Sequence, residues 1–181
     1  TGPKSYPGTY YVKLNVGESS MMESFKILKD ERSLSTNEDL REQFEFLIEV
    51  RDKVTEIHKT IKQIRSTRDQ LHSLSDKLSE KHEEISNSIE NVITKITKIE
   101  ENLYQTKNRS GQDPLNFPIR LNNKLAHLTS VAGRGNFKPT DQMYGVRDEL
   151  VKLIDVELQK WNEIKDSELD KINSMILKNN I

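Results

Sequence analysis

The chain has 181 residues, 33% hydrophobic and 31% charged, with 28 basic and 29 acidic side chains for a net charge of −1. That mix suits exposed helices with narrow apolar seams, and its balanced charge gives no electrostatic case for nucleic acid or an anionic membrane. With no cysteine, a disulfide framework, a thiol nucleophile and a cysteine zinc site are excluded. No apolar run approaches a membrane span.

Residues 9–16 alternate, with Tyr10, Val12, Leu14 and Val16 on one face and Tyr11, Lys13 and Asn15 on the other. Pro7-Gly8 precedes them as a turn, Gly17-Glu18 follows, and a second run returns from about Met21 to Leu28. This predicts a β-hairpin. A lone hairpin is marginal in water, so it must lie on the helices, pair with another chain, or belong to a larger sheet; the last is favoured by the apolar face of Tyr10, Val12, Leu14 and Phe25. Lys29-Asp30-Glu31-Arg32 is a polar connector. The division expected is residues 1–32 as a partial β-module with its connector and residues 33–181 as a helical bundle.

Thr36 to Leu78 carries apolar residues at Leu40, Phe44, Leu47, Val54, Ile57, Ile61, Ile64, Leu71, Leu74 and Leu78, with no proline or glycine between. The steps are threes, fours and their sums, the spacing of a long helix with one buried stripe. Ser35 or Thr36 caps it, Glu38 and Asp39 suit its first turn, and Glu49–Lys53 is an i,i+4 pair. A turn is expected near residues 75–80. The second helix runs from about Glu80 to Tyr104 on a seam of Ile85, Ile89, Val92, Ile93, Ile96, Ile99 and Leu103. Asp113-Pro114 opens an irregular third helix carrying Leu121, Leu125, Leu128 and Val131, which Gly133 stops as a left-handed cap. Thr140 caps a fourth helix to about Lys178, on Met143, Val146, Leu150, Ile154, Leu158, Trp161, Ile164, Ile172 and Ile176. The fold class is mainly α: an elongated antiparallel four-helix bundle preceded by a β-hairpin.

No catalytic, cofactor or metal constellation stands out. None of the four histidines follows a glutamate by three positions, as a di-iron bundle requires. Glu83-Glu84 and Glu100-Glu101 are neighbours that point about 100° apart on a helix, so they read as solvated faces. Trp161 sits on the helix-four seam as core, with glycan stacking as the alternative. Asn116, Arg120, Asn122 and Asn123 form a polar cluster around Phe117-Pro118, either a ligand site or, preferred here, ties for an irregular helix entry.

Pro7-Gly8-Thr9-Tyr10, Lys29-Asp30-Glu31-Arg32, the run from Pro114 to Leu125 (Pro-Leu-Asn-Phe-Pro-Ile-Arg-Leu-Asn-Asn-Lys-Leu) and Pro139-Thr140-Asp141-Gln142 resemble the C-terminal region of bacterial sortilin-like or BNR-repeat β-propeller proteins, often labelled glycosyl hydrolases. The resemblance covers nearly the whole chain. It implies that the hairpin is the tail of a β-sandwich module, that the bundle is a non-enzymatic appendage, and that the setting is periplasmic or extracellular. It implies upstream propeller and β-sandwich domains as partners, with protein or glycan docking. It carries no catalytic residues across. Two further readings stay open: an accessory domain lending Arg120 or Trp161 to a glycoside hydrolase site, and a self-associating coiled coil. Dimerisation through the unpaired hairpin edge is a related expectation.

Overall fold

A computed structural model describes residues 2–78 and 80–179, and it is a helical bundle preceded by a hairpin. The strands are β1, Gly8–Val16, and β2, Ser19–Ile27, antiparallel with Val16 opposite Ser19 and Gly8 opposite Ile27. Gly17 takes a φ of 57° in the two-residue loop, a left-handed turn conformation that glycine adopts without a Cβ clash.

Helix α1 spans Asn37–Ser75, 39 residues and about 58 Å of rise. Its entry settles on Thr36. The Thr36 Oγ1 accepts from the Asp39 N–H at 3.1 Å, and the Asp39 carboxylate accepts from the Thr36 N–H at 2.8 Å. This is a reciprocal capping box with aspartate in the third position. Glu49 and Lys53 do not pair with each other as expected. Glu49 takes Arg147, whereas Lys53 takes Glu56 at 2.6 Å and Asp155 at 2.9 Å. Arg147 and Asp155 on another helix, with Glu56 one turn along the same helix, outcompete an exposed i,i+4 pair of small worth.

A turn follows at residues 76–77; residue 79, within the expected break, lies outside the described residues. A 3₁₀ turn at Glu80–His82 leads into α2, Glu83–Leu103. Another 3₁₀ turn, Asp113–Leu115, carries Pro114 in its first positions. Helix α3 then spans Leu121–Ala132. Gly133 is not its left-handed stop, because the left-handed φ falls at Gly135, 72°. Gly133 serves by close approach: a Cβ there would stand 2.6 Å from the Thr129 carbonyl oxygen.

Thr140 caps α4, Asp141–Glu163, accepting the Met143 N–H on its hydroxyl at 3.3 Å. A π turn, Ile164–Leu169, and α5, Asp170–Lys178, continue it. Glu163 and Asp170 keep right-handed helical dihedrals, so these pieces form one helix. The π turn sets the phase of the residues beyond it. Ile164 and Ile172 are both buried and eight residues apart. Eight residues of α-helix overshoot two turns by about 80°, and a wider turn brings the second side chain back into line.

The chain divides into two compact units, Thr1–Asp52 with Ala126–Arg147, and Lys53–Leu125 with Asp148–Ile181. The first is centred on Phe46, Leu47, Val50, Leu128 and Ala132. Phe46 meets Tyr144 edge-to-face at 5.1 Å, and the Arg147 guanidinium covers both rings. Tyr6 contacts Phe44 of α1 at 5.3 Å and lies near Tyr10, which stacks on Phe25 at 5.9 Å. This aromatic chain fixes the base of the hairpin. The second unit buries the expected seam of α2 except Ile93, which is half-buried, together with Ile57, Ile61, Ile64, Leu125, Ile154, Leu158 and Trp161. Two expected seam residues, Val131 and Val146, are exposed instead.

Candidate functional site

Helix α2 brings a carboxylate inside the second unit. Glu100 is 1% exposed, and Arg65 Nε donates to its Oε1 at 2.6 Å. Arg68 Nη2 stands 2.7 Å from Oε2 as an ion pair, without the alignment of a hydrogen bond. Arg68 also donates to Thr97 Oγ1, and the Arg65 guanidinium covers the Tyr104 ring at 5.3 Å. The solvated-face reading therefore fails for Glu100. Arg65 and Arg68 lie one turn apart on α1, so two cations flank one inward carboxylate.

The polar network continues into the entry of α3. His58 meets the Tyr104 ring edge-on, and its Nε2 lies 3.3 Å from Asn122 Nδ2. Gln105, buried at the end of α2, donates from Nε2 to the Pro118 carbonyl at 2.7 Å and accepts the Lys107 N–H on Oε1. Asp113 faces back into the loop, where its carboxylate accepts the Arg109 and Ser110 N–H groups and the Ser110 hydroxyl. Those bonds, the Arg109 N–H foremost, hold its carboxyl below the usual range.

The four residues of the expected cluster do not converge. Asn122 is buried against His58, with its Oδ1 shut from solvent and unpartnered. Arg120 is half-buried with its Nε likewise unpartnered, and its carbonyl accepts the Lys124 N–H. Asn116 is exposed after the 3₁₀ turn, bonded through its N–H to the Asp113 carbonyl, and Asn123 is exposed. Asn122 and Asn123 are helix neighbours, so their side chains diverge. Backbone ties by Gln105 and Asp113, together with the Asn122–His58 contact, organise this entry.

Trp161 is 2% exposed and donates from Nε1 to Gln63 Oε1 at 3.3 Å, with Lys165 near one ring face at 5.7 Å. A sugar platform needs an open ring face, and Trp161 is core. Near it, a groove of about 540 Å³ borders the π turn, with Lys98, Glu157, Lys160 and Ser167 among its walls. Glu157 is nearly buried, with Lys160 bonded to its Oε1 at 2.7 Å. Among the described residues, no three His, Cys, Asp or Glu side chains gather as metal ligands, and no helix is long and apolar enough to cross a membrane.

The broadest unsatisfied surface is the hairpin. Val12, Leu14, Val16 and Met21 are between 53% and 67% exposed. Tyr10 pairs with Phe25 and Leu14 with Met21, on the same face as Val12 and Val16. No family model, curated protein or solved structure matches the chain.

Proposed function

We propose that the chain is a non-catalytic helical domain that braces and docks other domains of a larger, exported propeller protein. The observation that carries this reading is the open apolar face of the hairpin. Exposed apolar side chains grouped together mark contact surfaces, and here Val12, Leu14, Val16 and Met21 stand open to solvent, with Glu23 opposite Val12 and Ser19 opposite Val16 as the polar members of the face, above a base fixed by Tyr6, Tyr10, Phe25 and Phe44. The face is thus presented on an anchored mount. The resemblance to the C-terminal region of sortilin-like propeller proteins supplies its occupant, a β-sandwich module of the same polypeptide, and with it the periplasmic or extracellular setting. Any glycosyl hydrolase chemistry then belongs to the propeller portion.

The test is made in the intact protein. Leu14→Lys with Met21→Lys places charges on the face without touching the helical cores. Hydrogen exchange across Gly8–Ile27 should rise severalfold, and limited proteolysis should release the helical domain faster. Unchanged protection in the double variant rejects the reading.

A further inference from the structure

The hairpin has two nine-residue strands in a sheet of order β1–β2, so each strand has an outer edge without a strand partner among the described residues. Val16 lies opposite Ser19 across the two-residue loop, and such a loop closes on a hydrogen-bonded pair. Alternation then turns the backbone groups of Tyr10, Val12, Leu14 and Val16 toward β2. Those of Thr9, Tyr11, Lys13 and Asn15 face outward on β1, and those of Ser20, Met22, Ser24 and Lys26 face outward on β2. Neither strand contains a proline, and the pairing runs unbroken without a bulge, so two of the usual protections of an edge are missing, and Lys13 and Lys26 are the edge charges that remain.

We propose that β1 pairs antiparallel with β1 of a second copy of this chain, about a two-fold axis at Val12. This register uses all four outward residues, setting Thr9 against Asn15 and Tyr11 against Lys13 of the second copy. On the apolar face it sets Tyr10 against Leu14, and Val12 against its counterpart. No like charges are opposed. The same operation on β2 centres on Glu23 and opposes two carboxylates in a non-hydrogen-bonded pair, where side chains stand closest. Moving the axis on β1 to Lys13 opposes two lysines, and moving it to Tyr11 or Lys13 leaves outward groups unpaired. Charge and register together select the Val12 axis. The product is a four-stranded sheet, past the point at which a hairpin is marginal by itself. This pairing concerns the strand edge and stands independently of the docking assigned above to the hairpin face.

The absence of cysteine gives a clean test on this chain. In Val12→Cys the two thiols face each other across the axis, in reach of disulfide geometry, and mild oxidation should link the copies. Leu14→Cys, whose counterpart lies four residues away in this register, should link at least tenfold more slowly. Sedimentation of the unaltered chain should show a concentration-dependent dimer. Tyr11→Glu places a carboxylate opposite Lys13 in both symmetric pairs and should tighten the dimer by between about two- and thirtyfold, while Tyr11→Lys should weaken it by a similar factor. Lys13→Pro removes an outward N–H and spares the bonds to β2, so it should abolish the dimer with the hairpin retained. A monomer at every concentration, equal linkage of Val12→Cys and Leu14→Cys, or the same response to Tyr11→Glu and Tyr11→Lys overturns the proposal.

Discussion

Arg65 Nε donates to Glu100 Oε1 at 2.6 Å across 35 residues of chain, and the carboxylate it holds is almost completely closed to water. Removing a partner from such a group costs more than the pair contributes, because the remaining charge stays desolvated. Arg68→Ala leaves Oε2 without its cation and should destabilise the fold by about 1–3 kcal/mol in urea unfolding. Glu100→Leu combined with Arg68→Met removes the buried carboxylate and the cation at its Oε2, leaving Arg65 half-exposed to solvent over the Tyr104 ring, and should return to within roughly 1 kcal/mol of the parent chain. A double variant as unstable as the single one contradicts this account.

Gln105 ties the loop between α2 and α3 by bonding the Pro118 carbonyl and the Lys107 N–H. Gln105→Ala should cost about 1 kcal/mol. Its sharper signature is local: trypsin should cut after Lys107 and Arg109 severalfold faster, with the helices still folded by circular dichroism. Unchanged cleavage would mean that the loop is held elsewhere.

Asp39 and Asp113 both have carboxyls held below the usual 3.8, Asp39 mainly by the Thr36 N–H and hydroxyl, Asp113 mainly by the Arg109 N–H. A carboxyl lowered in the folded state contributes its stability fully above the unfolded pKa, and that contribution disappears as pH falls through the lowered value. Asp39→Asn should therefore reduce Tm at neutral pH, and the gap from the parent should close below pH 3.8. A gap that widens with acid would show the opposite linkage.

Trp161 is the only tryptophan, so fluorescence reads its surroundings directly. Emission should be blue-shifted and should move red on unfolding. Titration with neutral oligosaccharides should leave it unchanged, since its ring is enclosed by core. Trp161→Ala should cost about 3–5 kcal/mol. Saturable sugar binding seen by calorimetry and lost in Trp161→Phe would restore a glycan role.

The strands, the helices and the Thr140 cap are visible in local spacing, because hydrophobic period and capping chemistry act over a few residues. Thr36 was one of two candidate caps; the choice needed the Asp39 geometry. The polar interior was harder to read. Glu100 looks like half of a surface pair with Glu101, and only Arg65 and Arg68 on another helix make it internal. Gln43 is buried because its Nε2 donates to the Ala132 carbonyl, 89 residues away. Phe46 and Val50, among the most buried side chains, lay beside the narrow stripe traced through Leu40, Phe44 and Leu47. Arg120 and the four-residue cluster show the reverse failure: closeness in sequence suggested a site, whereas helix geometry splits Asn122 from Asn123. The eight-residue step from Ile164 to Ile172 gives no local mark of the π turn, because Leu150 and Leu158 keep the same step within regular helix and are both buried.

That step also bears on how the gene can change length. A π turn holds one residue beyond what an α turn needs, so Ile164–Leu169 already absorbs an extra position. Deleting one residue there would restore a regular helix and leave Ile172 seven residues from Ile164, only about 20° from two full turns. The C-terminal seam can therefore lose one codon in this stretch and keep its phase, whereas a single-codon loss within the regular helix Asp141–Glu163 swings everything after it by about 100°.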